Sequence, residues 1–192
     1  MVAAAAVSCC CKSDCASDNS AAAIDAIMTR TSIRAFTDQP VEPEKIEVLL
    51  KAGMAAPSAV NRQPWAFVVI TEREGLDALA AVHPNARMLS TARAAIVVCG
   101  DLTKAIEGPM SAVWVQDASA ATENILVAAN ALGLGAVWTG VFPNPERVSA
   151  IAEVLELPSS VIPLNVIPIG YPAENPAPKD KWKPENVHYN KW

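Results

Sequence analysis

Apolar positions in the first half of the chain follow either helical spacing or short continuous runs. Helical spacing predicts one helix from near Ala21 to Thr29 and a second that opens at Pro43, since proline favours the first helical position. The uninterrupted apolar runs at 66–71 and 94–99 predict strands that are buried on both faces of a sheet. A short helix around Gly75 to Val82 is predicted between these two strands, so helices and buried strands alternate after the first two helices.

The second half of the chain continues this alternation. A long helix is predicted from near Ser111 to about Leu132, and its face of small residues suits close helix packing, including packing across a dimer seam. Further strands are predicted at 135–141 and 161–169, with a helix that Asn144 caps and Pro145 opens between them. Two prolines in the last strand place it at an edge or make it irregular. The whole pattern predicts a three-layer α/β or α+β sandwich.

The composition agrees with one folded domain, and the net charge argues against one class of binding partner. Hydrophobic residues make up 52% and charged residues 18% of the 192 positions, which is a globular balance. The formal net charge of −5 argues against nucleic-acid binding, which usually requires a basic face. The apolar stretch 125–142 is about as long as a membrane span, but Asn130 and three glycines within it favour a buried helix that runs into a buried strand.

Four of the five cysteines lie at positions 9 to 15, outside the predicted fold. Adjacent cysteines rarely satisfy disulfide geometry, so no disulfide framework is expected. The apolar run 2–7 before Cys9 resembles a shortened bacterial lipoprotein signal, and the alternative is a flexible tail, with metal binding by its thiols as one use. We therefore separate residues 1–20 from a domain at 21–192, and expect a cytoplasmic protein, with a membrane-tethered lipoprotein as the alternative.

Side chains for independent catalysis are scarce in the body of the chain. His83 and His188 have no plausible nucleophile beside them, and no C-x-x-C or H-E-x-x-H motif marks a zinc site there. The G-x-G-x-x-G dinucleotide fingerprint is also missing. Cys99, inside an apolar run, is expected to be a buried and inert thiol. A cofactor is therefore expected to supply the reactive atoms.

Two cationic clusters offer a site for an anionic group. Arg30 and Arg34 alternate with the hydroxyls of Thr31 and Ser32 directly after the first predicted helix, and lysines recur at 179–183. Such clusters are usually solvated surface charge. However, an arginine fork beside a hydroxyl donor is also a combination that binds phosphate. Both interpretations stay open on these residues alone.

Four motifs in fixed order resemble those of the FMN-dependent nitroreductase family. They extend over roughly residues 24–187, and the second is more specific than the first. The motifs are Arg30-x-Ser32-x-Arg34-x-Phe36; Ala56-Pro57-Ser58-Ala59-Val60-Asn61-Arg62-Gln63-Pro64-Trp65; Gly133-Leu134-Gly135 through Trp138-Thr139-Gly140; and Ile169-Gly170-Tyr171-Pro172 with Lys179 and Lys181. The resemblance implies an α+β, nitroreductase-like three-layer sandwich with a central, mostly antiparallel sheet flanked by helices. It also implies a homodimer with a swapped C-terminal extension.

The resemblance assigns the FMN phosphate to the two cationic clusters, one on each side. The physical logic agrees, because a partly buried dianion needs more than one cation. Arg34 matches the position at the N1/O2 edge of the isoalloxazine, where a positive charge stabilises the reduced cofactor. The implied cofactor-binding residues of these clusters are Arg30, Thr31, Ser32, Arg34, Lys179 and Lys181.

The middle motifs contribute Pro57, Ser58, Asn61, Gln63, Trp138, Thr139 and Gly140 to the implied site. The two amides suit the mixed donors and acceptors of the flavin's polar edge. By resemblance, the proline and serine pack on the ring or ribityl chain from the partner subunit. The threonine–glycine backbone approaches flavin N5, where glycine permits close contact. Purely structural roles also stay open for three of these residues. Trp138 could be a core aromatic, Asn61 a turn residue and Gly140 part of a β-bulge.

The resemblance implies a two-step oxidoreductase. NADH or NADPH delivers a hydride to flavin N5 and leaves, and a nitroaromatic, quinone or related small-molecule acceptor is then reduced on the same face. No side chain acts as a nucleophile, because the flavin is the reactive centre. The alternatives are other flavin chemistry in the same family, such as flavin fragmentation or reductive dehalogenation, and a non-catalytic flavin-binding protein tethered to a membrane.

Overall fold

The computed structural model describes the chain from Asp14 to Trp192, with side chains described from Ala21 onward. The predictions for the N-terminal thiols and for the apolar run before Cys9 lie outside these residues. Helix α1 spans Asp14–Thr29, so it begins before the predicted start near Ala21. Within the described residues, no helix is both long and apolar enough to cross a membrane.

Four further α-helices follow. Their bounds are α2 Pro43–Met54, α3 Arg73–Val82, α4 Trp114–Ala131 and α5 Pro145–Val154. Prolines open α2 and α5, as their fixed backbone angle favours. The Asn144 side chain caps α5 by accepting a hydrogen bond from the Arg147 N–H at 2.9 Å. Helix α4 begins after the predicted Ser111, because Gly108–Val113 forms a short 3-10 segment.

Five strands form one antiparallel sheet. They are β1 Trp65–Ile70, β2 Ala94–Asp101, β3 Gly135–Ala136, β4 Thr139–Gly140 and β5 Val161–Gly170. Their order is β1-β2-β5-β3, and β4 also pairs with β5. Since every one of these pairings is antiparallel, the α+β prediction is confirmed and the parallel α/β alternative is wrong.

Three strand predictions need correction. β5 is central instead of lying at an edge, although the predicted irregularity is present: the β2–β5 register shifts at Val98/Cys99, and Cys99 then faces Pro163, which has no N–H for a regular ladder. β1, predicted to be buried on both faces, ends the sheet order, and its middle residues are partly accessible. The predicted third strand is split, because residues 137–138 leave the ladder between β3 and β4.

Side chains of β2 divide the core into two halves, one on each face of the sheet. Ile96 and Val98 join the cluster of α2 and α4, whereas Ala95, Val97 and Cys99 join that of α3 and α5. Two helical layers around one sheet make the predicted three-layer sandwich. Burial raises the pKa of the Cys99 thiol to about 12, which confirms that this cysteine is buried and inert.

The small-residue face of α4 packs inside the chain. Ala118, Ala121, Ile125 and Ala129 are fully buried. Gly53 of α2 lets the two helices approach closely, because a Cβ at this glycine would lie only 3.0 Å from the Ile125 Cδ1. The same face is therefore not available for a dimer seam, and that part of the prediction is wrong.

Candidate cofactor site

The first cationic segment, residues 30–34, is fixed against the end of the sheet. The Ile33 N–H donates to the Ala136 oxygen at 3.1 Å. The buried Ile33 side chain lies directly over Gly135, where a Cβ would be 2.6 Å from the Ile33 Cγ2. The lack of a side chain at Gly135 therefore allows this segment to pack on β3, and its polar residues gain a defined position.

The C-terminal tail, residues 171–192, leaves β5 beside that segment. Residues 171–173 run antiparallel to residues 35–37, where an isolated bridge joins Pro172 to Phe36. Backbone hydrogen bonds of 2.8 and 2.9 Å flank the bridge. This short ribbon directs the rest of the tail across the first cationic segment.

A cavity of about 650 Å³ lies between the two segments. Its volume is in the range of about 300–1,000 Å³ that small-molecule sites occupy. Both predicted cationic clusters line it, although about 150 positions of chain separate them. The predicted residues at the cavity are Arg30, Thr31, Ser32, Arg34, Lys179 and Lys181. The two clusters therefore line the same cavity within one chain.

The cavity lining carries more positive than negative charge. Two arginines and two lysines face it together with two carboxylates, those of Glu174 and Asp180, which leaves a formal excess of two positive charges. The Arg30 Nε lies 3.1 Å from a carboxylate oxygen of Glu123 on α4, and this ion pair orients the guanidinium. Ile27, Met28 and Trp182 add apolar surface to the lining. The cavity can thus accept an anion that also carries an apolar group.

The predicted residues of the second motif lie outside this cavity in the single chain. They occupy the loop between α2 and β1, at Pro57, Ser58, Asn61 and Gln63. The Asn61 and Gln63 side chains are exposed and hydrogen-bond to each other, with 2.9 Å between the Gln63 Nε2 and the Asn61 Oδ1. Their flavin contacts stay a prediction.

The backbone of this loop is strained. Val60, Asn61 and Gln63 have φ angles of 44°, 56° and 50°, in the left-handed region that is costly for side chains other than glycine. The Asp117 carboxylate of α4 holds the loop by accepting the Ala59 N–H at 2.9 Å. Backbone strain that the surrounding structure maintains is frequent at ligand sites.

The third-motif residues also lie outside the cavity in the single chain. Thr139 is buried, and its hydroxyl donates to the Val166 oxygen at 2.7 Å. Gly140 pairs with Asn165 in the β4–β5 ladder, so the bulge alternative is wrong. Trp138 remains 37% exposed, which does not fit a core tryptophan. These residues form a partly open surface at β4.

A buried histidine packs beside the third motif. His83 is fully buried, and neither ring nitrogen has a hydrogen-bond partner among the described residues. Burial lowers the pKa of His83, and the nearby Arg147 lowers it further, while the Thr139 backbone opposes the shift. The imidazole is therefore held neutral in the folded chain.

Sequence reasoning did not find two acidic residues: Glu174, which lines the cavity, and Glu123, which pairs with Arg30 but is not part of the lining. Glu123 contacts Arg30 from a helix distant in the chain, and Glu174 accepts hydrogen bonds from the Arg34 and Ala35 N–H groups. Charge complementarity predicts cations, not carboxylates, near an anion site, so these acidic residues could not be predicted on that basis. The position of Glu174, two residues after the Gly170–Pro172 motif, is the one sequence signal that could have found it.

Comparison with known proteins places the chain in a family. A family model described as the nitroreductase family matches residues 27–84 and 80–171, which is most of the chain. The chain belongs to the nitroreductase family. The nitroreductase match ends at Tyr171, so the lysines of the second cationic cluster lie beyond it.

Individual relatives agree with this family. A nitroreductase relative from Methanothermobacter thermautotrophicus, provisionally named NADH dehydrogenase/NAD(P)H nitroreductase, is 48% identical and aligns over 88% of this chain and 87% of its own. A crystal structure from Parabacteroides distasonis with the same provisional name is 48% identical, has a TM-score of 0.84 and covers 88% of this chain and 98% of that one. The FMN-dependent nitroreductase from Clostridium difficile is 31% identical, with a TM-score of 0.81 and coverage of 88% and 99%.

Proposed function

We propose that the chain is an FMN-dependent NAD(P)H oxidoreductase that reduces nitroaromatic, quinone or related small-molecule acceptors. The observation that carries the proposal is the cavity where the two cationic clusters meet. The names of two relatives support the same chemistry: one is an FMN-dependent nitroreductase and the other is provisionally an NAD(P)H nitroreductase. FMN held in this cavity would supply the redox chemistry, hydride transfer from NAD(P)H to the acceptor.

The cavity fits the chemistry of FMN. A phosphate dianion requires several cations and hydrogen-bond donors when it is partly removed from water. Arg30 and the two lysines supply the charge, while the Thr31 and Ser32 hydroxyls can donate hydrogen bonds. The apolar side chains of the lining offer surface to a planar ring system.

Each predicted residue then has a role in binding or orientation. Arg30, Thr31 and Ser32 would hold the phosphate from one wall of the cavity, and Lys179 and Lys181 would hold it from the other. Arg34 would lie at the polar edge of the ring, where its charge would favour the reduced cofactor. Cofactor binding is thus assigned to a domain at residues 21–192.

We propose a homodimer because the single chain leaves part of this site unassembled. A second copy would supply the loop with Pro57, Ser58, Asn61 and Gln63, whose strained backbone is already in place. Trp138, Thr139 and Gly140 would border the ring at β4. Exposed apolar side chains on α1 and the tail support a partner surface; they include Ile24, Ile27, Met28, Trp182 and Trp192.

The first experiment is to purify the protein and identify what it binds. We expect a yellow protein that releases FMN on denaturation and oxidises NADH or NADPH only when a nitroaromatic or quinone is added. Light scattering on the same sample should give the mass of two chains. A protein that takes up no FMN would overturn the cofactor proposal, and bound FMN with negligible NAD(P)H oxidation would overturn the proposed activity.

The partner's contribution can be tested separately with Asn61→Ala. This residue lies outside the single-chain cavity, so a direct contact between Asn61 and FMN bound there requires a second copy. We expect weaker FMN binding with an unchanged dimer mass, and Asn186→Ala in the exposed tail serves as the amide control. Unchanged FMN affinity in Asn61→Ala would contradict the shared site.

A further inference from the structure

The tail is attached to the rest of the protein by a short stretch of contacts. The ribbon of residues 171–173 on residues 35–37 is followed by the Glu174 side chain. One oxygen of this carboxylate accepts hydrogen bonds from two consecutive backbone N–H groups, those of Arg34 and Ala35, the latter at 3.1 Å. Consecutive N–H groups of this kind form a natural anion-binding site, and Glu174 occupies it.

Beyond Glu174, hydrogen bonds no longer connect the tail to the rest of the part of the chain that the structure describes. Those made after position 174 join tail residues to one another, as in the Trp182 N–H that donates to the Asp180 carboxylate at 2.9 Å. Residues 172–192 are all exposed. The positions of Lys179 and Lys181, a few residues further on, therefore depend on where Glu174 is held.

Charge alone does not explain a carboxylate at this place. Glu174 lines a cavity whose other charged groups are mostly cationic, and a negative charge there repels an anionic ligand. It also occupies two N–H groups that could otherwise donate to that ligand. Glu174 opposes the ligand electrostatically, yet it makes the last hydrogen bond between the tail and the rest of the described chain. Its role is therefore explained by where it holds the tail.

We propose that Glu174 is a positioning residue that holds the C-terminal tail so that Lys179 and Lys181 face the phosphate of the cofactor. The inference rests on the proposed function, since it concerns the same cavity. The proposal and simple electrostatics predict opposite changes in FMN affinity when Glu174 is removed. Removal of an acid beside an anion should strengthen binding, whereas removal of the attachment should weaken it.

The test compares Glu174→Ala with Glu185→Ala, which removes the same charge from an exposed part of the same tail. Two quantities are measured on each full-length variant: the FMN dissociation constant, by fluorescence titration of the FMN-free protein, and the initial rate of trypsin cleavage after Lys179 and Lys181. For Glu174→Ala we expect FMN binding weaker by up to about fivefold, since losing the position of the two lysines cannot cost more than losing both exposed lysines, and faster cleavage. Glu185→Ala should change neither quantity.

A second variant protects the test against a folding defect. Glu174→Gln keeps a carbonyl oxygen that can accept the same N–H groups, so it should retain part of the affinity that Glu174→Ala loses, with an unchanged circular dichroism spectrum. Tighter FMN binding in either Glu174 variant would overturn the proposal, and so would faster cleavage without a change in FMN affinity. If wild-type protein binds no FMN, the proposed function fails, whereas the cleavage rates still decide whether Glu174 attaches the tail.

Discussion

The two segments that line the cavity are held by the protein in different ways. Residues 30–34 belong to the core side: Ile33 within them and Phe36 after them are buried, and the Ile33 backbone is hydrogen-bonded to β3. The tail is exposed from residue 172 onward, and among the described residues the hydrogen bonds of this exposed part to the rest of the chain are those of the ribbon and Glu174. We call residues 30–34 the fixed wall of the cavity, because the core holds them, and we call the tail with Lys179 and Lys181 the attached wall. The variants below test this difference, from the largest expected effect to the smallest.

Gly135→Ala acts on the fixed wall. The new Cβ would lie 2.6 Å from the Ile33 Cγ2 and 2.8 Å from the Ile33 Cβ, so the first cationic segment must shift. We expect a loss of up to about 3 kcal/mol in the free energy of unfolding, measured by denaturant titration. Gly133→Ala is the control, since it meets no atom within 4 Å and suffers only from its φ of 71°. A smaller loss in Gly135→Ala than in this control would mean that the wall is not fixed by this contact.

Arg30→Ala removes the main cation of the fixed wall. Its guanidinium is mostly buried and already oriented by Glu123, so its contact with a phosphate should be strong. We expect FMN binding weaker by about 2 kcal/mol, or roughly thirtyfold in the dissociation constant. The exposed Arg87→Ala should leave the dissociation constant unchanged. Equal affinities of Arg30→Ala and wild type would contradict the phosphate assignment.

Replacing both Lys179 and Lys181 by alanine tests the attached wall. These lysines are exposed, so solvent screens them, and we expect a smaller effect of about fivefold on FMN affinity. That effect should vanish in 1 M salt, where the screening length falls to about 3 Å. The Arg30→Ala effect should persist there. If both losses respond equally to salt, the distinction between the two walls is wrong.

The smallest expected effect is on the pH dependence of stability, and it concerns His83 in the core. The folded-state pKa of His83 is lowered from 6.5 by burial, so the unfolded chain takes up a proton first as the pH falls. The stability contributed by neutral His83 is complete above about pH 6.5 and is lost as the pH falls towards the folded-state pKa. His83→Gln should flatten this acid-side decline in denaturation midpoints between pH 8 and pH 5. If the decline in stability at low pH is the same in His83→Gln as in wild type, ionisable groups other than His83 cause it.

Much of the fold was predictable because its signals are local. The prolines that open α2 and α5 and the fully apolar run of β2 each follow from residues close together in the chain. The central place of β5 did not follow, since Pro163 and Pro168 argued for an edge. The register shift at Val98/Cys99 that accommodates the irregular strand depends on the pairing partner, which the β5 sequence does not contain.

The residues of the candidate site also divide into those that local sequence predicts and those that depend on distant contacts. Arg30, Ser32 and the late lysines were predictable because phosphate chemistry and family motifs both select them. Glu123 and Glu174 were not, because each matters only through a contact with a residue about 90 to 140 positions away. The loop with Asn61 and Gln63 was recognised by its motif, yet its place at a flavin requires a second chain and remains a proposal.

The central place of β5 also determines the order in which the molecule can be completed. β1 and β2 are made early, but β2 has no partner on its inner side until residues 161–170 are made and inserted. A nascent or truncated chain without them would expose an apolar strand edge, which is a template for aggregation. Because the ribbon begins directly after β5, insertion of this strand also delivers the tail, so closure of the sheet and assembly of the pocket become a single late event.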